Sequence, residues 1–111
     1  MELNQTFTKE ELEGIIKQKE ALMVYFYQDQ CGVCKMLLPK VKNLMVNQFP
    51  KIELIVLDAE KNRELAAQLR MLAVPGILVF FDGKEFLRSN GLVTINELEN
   101  RIQRPYKMLF E

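Results

Sequence analysis

The sequence contains no histidine, no tryptophan and only two cysteines. Without histidine there can be no Ser–His or Cys–His nucleophile pair and no His-ligated metal. Net charge is missing too. Lys plus Arg and Asp plus Glu number 15 each, so no basic field exists to hold nucleic acid or an anionic membrane surface. Long apolar runs are absent. The two longest, Ala21–Tyr27 and Ile77–Phe81, fall far short of a bilayer span. The start, Met1-Glu2-Leu3-Asn4-Gln5, has neither a basic nor an apolar leader region, so a cytoplasmic chain without an export signal is expected. There is no repeat, low-complexity stretch or linker. At 111 residues and 49% hydrophobic, the chain suits one domain over residues 1–111 with one core.

What is present reads as alternating helices and strands. Thr8 and Glu11 have the form of a capping box, opening a helix over about Lys9–Lys19. The continuously apolar run Ala21–Tyr27 predicts a strand buried on both faces. Leu37, Leu38, Val41, Leu44, Met45 and Phe49 make a helical stripe with Pro39 inside it. Ile52–Leu57 reads as a second strand, Lys61–Met71 as a helix and Ile77–Phe81 as a third strand. Asp82-Gly83 is a hairpin turn signal returning through Lys84–Arg88. Thr94 with Glu97 opens a last helix, which Pro105 is expected to stop. The order predicts an α/β fold in which parallel strands with helical crossovers share a sheet with a hairpin. A further short strand at Gln5-Thr6-Phe7 is a weaker expectation.

The two cysteines stand as Cys31-Gly32-Val33-Cys34, between a buried strand and a helix start. A helix N-terminus presents unpaired N–H groups and the positive end of a dipole. That setting favours thiolate over thiol at Cys31 and marks it as a nucleophile. Cys34, one turn on, is placed to attack a mixed disulfide on Cys31 with a high effective concentration. Gly32 is expected to permit a tight entry to the helix and Lys35 to add a nearby cation. Spacing alone leaves two alternatives, a pair of inert buried thiols or half of a zinc site shared between chains.

Taken together, Cys31-Gly32-Val33-Cys34-Lys35-Met36, Pro39, Asp58, Val74-Pro75, Asp82-Gly83 and Gly91 resemble the thioredoxin family, in family order and over about residues 5–104. The resemblance implies a thioredoxin fold, a mixed four- to five-stranded sheet with helices on both faces. It implies thiol–disulfide exchange with protein substrates through Cys31 (nucleophile) and Cys34 (resolving), without a bound cofactor or metal. A thiol reductant or reductase would recycle the pair. It further implies a cis Val74-Pro75 bond against the dithiol, with Val74 offering its backbone to substrate and Gly91 lining the surface beside it.

The chain also departs from the family. Tyr25 stands where a buried aspartate is usual and Leu54 where its partner lysine is. Gln30 replaces a tryptophan on the substrate-facing surface, Val33 replaces a proline, and Gly76 replaces a threonine. These departures sustain an alternative, a thioredoxin-like binding or adaptor module with little redox turnover. An oxidant or isomerase is a third reading, since redox direction is not written in the sequence. Phe26, Tyr27, Phe80 and Phe81 and the six methionines are read as core. The apolar tail over residues 105–111 is expected to fold back on its own domain, leaving a monomer.

Overall fold

The computed structural model describes residues 6–111. The elements are α1 (Lys9–Gln18), β1 (Ala21–Tyr27), α2 (Gly32–Gln48), β2 (Glu53–Asp58), α3 (Arg63–Gln68), β3 (Gly76–Phe81), β4 (Lys84–Asn90) and α4 (Ile95–Phe110). The sheet order is β2-β1-β3-β4. Strand β1 runs parallel to β2 and antiparallel to β3, and β3 pairs antiparallel with β4. This is the expected mixed α/β sheet, with four strands among the described residues. Gln5 lies outside them, and Thr6 and Phe7 are not in a strand.

The continuous apolar run of β1 is explained by its two covered faces. Ala21, Met23 and Tyr25 pack with Leu37, Val41 and Leu44 of α2 and Leu98 and Ile102 of α4. Leu22, Val24 and Phe26 point the other way, into a cluster with Leu12 and Ile16 of α1 and Leu65 of α3. Successive side chains alternate between the layers because the strand period is two. Phe26, Phe80 and Phe81 are buried as expected, but Tyr27 is only half-buried, and two methionines, Met36 and Met108, are exposed and fill no core gap.

Local chemistry accounts for most boundaries. At Thr8 both halves of the capping box are made, hydroxyl to Glu11 N–H and Glu11 carboxylate to Thr8 N–H. At Thr94 the hydroxyl accepts from Glu97 N–H at 3.1 Å, and the reciprocal bond is not among those of the described residues. Asp82 and Gly83 both take positive φ, 54° and 79°, as a two-residue primed turn requires. Helix α2 runs through Pro39 as one element.

Two boundaries differ from expectation. Helix α3 is shorter than Lys61–Met71, and Leu72 lies exposed beyond it. Arg70 at φ 59° ends it. Arg70 N–H donates to Ala67 C=O and Met71 N–H to Ala66 C=O, the paired bonds of a left-handed C-terminal cap. The expected glycine is absent, and the Arg88 guanidinium instead clamps the Leu69 and Arg70 carbonyls at 2.8 and 3.2 Å.

Pro105, secondly, does not stop α4, which continues to Phe110. An interior proline costs about 3 kcal/mol, and burial beyond it offsets this. Tyr106 is buried, its ring 5.0 Å from Phe49 and 4.8 Å from Phe110. Its hydroxyl accepts from Lys51 N–H at 3.2 Å. The tail thus folds over its own chain as the last turns of α4, and of its apolar side chains Met108 and Leu109 are left exposed.

Candidate active site

Strand β1 delivers the chain to a tight turn in which Cys31 N–H donates to Gln28 C=O at 3.0 Å. Cys31 then serves as the N-cap of α2, with extended backbone, and its Sγ accepts from Cys34 N–H at 3.1 Å. This is the position where serine or aspartate oxygens usually satisfy the first free N–H groups. A sulfur held there gains from the same donor and from the helix dipole, both of which favour its anion. Cys31 and Cys34 are joined as a disulfide, with Cα atoms 5.3 Å apart. Cys31 is half-buried, whereas Cys34 is only 1% exposed.

The other expected site residues gather at the same end of the sheet. Val74-Pro75 is a cis peptide bond. Gly76 pairs with Phe26 and Ile77 with Tyr25, so Val74-Pro75 lies just past the end of β1 from which the Cys31 turn departs. Val74 shares the wall of a cleft with Gln28 of that turn. Gly91, at φ 110°, donates its N–H to Pro75 C=O at 2.8 Å, and Asn90 Oδ1 accepts from Leu72 N–H at 2.9 Å. Three separate segments therefore converge here. Gln30, Gly32, Val33 and Lys35 are exposed around the cysteines, and Lys35 N–H donates to Cys31 C=O at 3.2 Å.

Gly32 is not required by a tight helix entry. Its φ lies outside the left-handed region, and a Cβ there would meet nothing within 4 Å. Gly76 is the position where glycine is imposed by space. A Cβ would lie 2.8 Å from Met71 Cε and 3.1 Å from Ala73 C=O, so a threonine there would require the Met71 terminus to swing aside and the Ala73 carbonyl to give by a few tenths of an ångström.

Tyr25 was legible as a departure but not as a participant. Its phenol is fully buried and donates to Cys34 C=O at 2.9 Å. Burial pushes its pKa up to about 12, so it stays protonated and is no base at neutral pH. A buried phenol must find a partner, and that requirement was the available signal. Leu54 packs against the same cluster, so no charge is stranded beside Tyr25. Also unforeseen was a groove of about 780 Å³ beside the dithiol, whose walls include Val33, Met36 and Leu92. Among the described residues no three His, Cys, Asp or Glu side chains come together in a way that could hold a metal ion.

Comparison with known proteins agrees with this geometry. The thioredoxin family profile matches residues 4–104. The chain is 34% identical over 97 residues to the thioredoxin-like protein YdfQ of Bacillus subtilis, covering 87% of this chain and 86% of that one. It is 31% identical over 84 residues to thioredoxin-1 of Saccharomyces cerevisiae, covering 76% and 81%. Among solved structures, Fasciola hepatica thioredoxin superposes with a TM-score of 0.73 at 28% identity, over 98% of this chain and 99% of that one. With a paired Cys-x-x-Cys at a helix N-terminus on this fold, the chain belongs to the thioredoxin family and is a thiol–disulfide oxidoreductase.

Proposed function

We propose that the chain exchanges its dithiol with protein disulfides, with Cys31 as nucleophile and Cys34 as resolving thiol. The observation that carries the assignment is the asymmetry of the pair. Cys31 is reachable and its sulfur faces the Cys34 N–H, while Cys34 is buried behind it. The Cys31 thiolate attacks one sulfur of the substrate disulfide, forming a Cys31–substrate disulfide. The substrate S–S bond breaks, and its departing sulfur takes up a proton. The Cys34 thiol then loses its proton and attacks Cys31 Sγ. The internal disulfide closes, and the second substrate sulfur leaves as a thiol. Two electrons pass to the substrate, and a separate thiol reductant or reductase returns them.

Val74, Pro75 and Gly91 would form the strip on which the substrate backbone lies, with Gln30 at its border and Gly32 leaving Cys31 uncovered. The reading is of a monomeric, single-domain reductase of the cytoplasm, where thiols are kept reduced. Replacing one cysteine at a time tests it. Cys34→Ser should accumulate mixed disulfides with protein substrates that dithiothreitol releases, and Cys31→Ser should trap none. Equal trapping by both variants, or by neither, overturns the assignment. A strongly reducing potential for the wild-type pair supports a reductase, and a much more oxidising one excludes it.

A further inference from the structure

We propose that Tyr25 is a positioning residue for the dithiol, tying the first turn of α2 to the centre of the sheet so that Cys34 stands ready to close on Cys31. The inference rests on the exchange reaction assigned above.

Tyr25 sits in β1 between two strands, paired with Val56 on one side and Ile77 on the other. Its side chain is fully buried, so its hydroxyl is held from a strand that is paired on both sides. From there it donates to Cys34 C=O at 2.9 Å. The peptide group carrying that carbonyl also carries Lys35 N–H, which donates to Cys31 C=O at 3.2 Å. Cys34 N–H, on the neighbouring peptide, donates to Cys31 Sγ at 3.1 Å. One phenol therefore begins a chain of hydrogen bonds that ends on the backbone of Cys31. Bonds linked through one peptide group polarise and strengthen one another.

The first turn of α2 needs such a tie. Pro39 has no N–H to give the Lys35 carbonyl, so the helical ladder loses a rung directly beside the cysteines. The bond from Tyr25 falls on the preceding carbonyl and joins the weakened turn to the sheet instead. Because burial keeps the phenol protonated to about pH 12, the donor persists wherever the enzyme works.

Tyr25→Phe keeps the ring and removes only the donor. The bond is made in the disulfide form, and a tie that serves closure is made more fully there than in the dithiol, so its loss should weaken the disulfide form more. A typical net hydrogen bond corresponds to about fivefold in an equilibrium constant. The dithiol–disulfide constant against a glutathione buffer should therefore shift about fivefold, an increase in potential of about 20 mV. Closure by Cys34, followed as decay of a preformed mixed disulfide on Cys31, should slow by a similar factor. Ile77→Val loosens the packing of the paired strand but keeps the phenol, and should lower the melting temperature without moving the potential.

An unchanged potential and closure rate in Tyr25→Phe, with only stability reduced, overturns the proposal. So does an equal shift in Ile77→Val. Should Tyr25→Phe fail to fold, exchange of the Tyr25 hydroxyl proton with water in the oxidised wild type, followed by proton NMR, decides the matter. Strong protection is expected, and free exchange overturns the tie. Absence of any exchange reaction in the wild type would instead refute the assignment of the dithiol itself.

Discussion

Raising the pH toward 11 should remove most of the advantage that Tyr25 gives the wild type over Tyr25→Phe. The phenol is fully buried, and burial raises its pKa from 10.0 to about 12. The folded protein thus holds the neutral form, while the unfolded chain ionises first, from pH 10 upward. The contribution is complete below the unfolded value and is lost as pH rises toward the folded one. The interval is worth about 3 kcal/mol in all, of which about half has gone by pH 11. Near neutrality, Phe forfeits one buried hydrogen bond, about 1–1.5 kcal/mol, but it has no proton to lose. The two stability curves should therefore meet near pH 11. Every other ionisable group is common to both proteins and cancels in the difference. Urea midpoints of the oxidised proteins at several pH values between 8 and 11 measure the gap, and tyrosinate absorbance reports the ionisation. A wild-type advantage that stays constant across this range, or a Tyr25 that ionises without an upward shift, would refute the reasoning.

Two further outcomes follow from packing. Gly76→Ala should destabilise by about 1–3 kcal/mol, since its Cβ would lie 2.8 Å from Met71 Cε and 3.1 Å from the Ala73 carbonyl. Adding Met71→Ala should recover only the side-chain part, and a neutral Gly76→Ala in thermal melts would show that the space is free. In α4, Pro105→Ala should stabilise by up to about 3 kcal/mol. Tyr106→Ala should cost about 3–5 kcal/mol through loss of its contacts with Phe49, Phe110 and Lys51. If Tyr106→Ala unfolds at the wild-type urea midpoint, the last turns of α4 contribute nothing to the fold.

The order of elements, the double-sided burial of β1 and the 82–83 turn could all be read from residue patterns. Each follows from periodicity or backbone preference acting within a few residues. The dithiol was legible for the same reason, since Cys31 and Cys34 meet through one helical turn. What local rules missed was settled by contacts distant in sequence. Arg88 caps α3 in place of a glycine, Phe49 and Lys51 hold Tyr106 and carry α4 past Pro105, and Met71 occupies the space beside Gly76. The partner of the Tyr25 phenol lies nine residues away in another element, and only the docking of α2 on the sheet reveals it. Sequence determined which chemistry is present, because that chemistry resides in two nearby sulfurs. The tertiary structure decided how those sulfurs are exposed, oriented and tied, because burial and hydrogen bonding there depend on segments that meet only once the chain has folded.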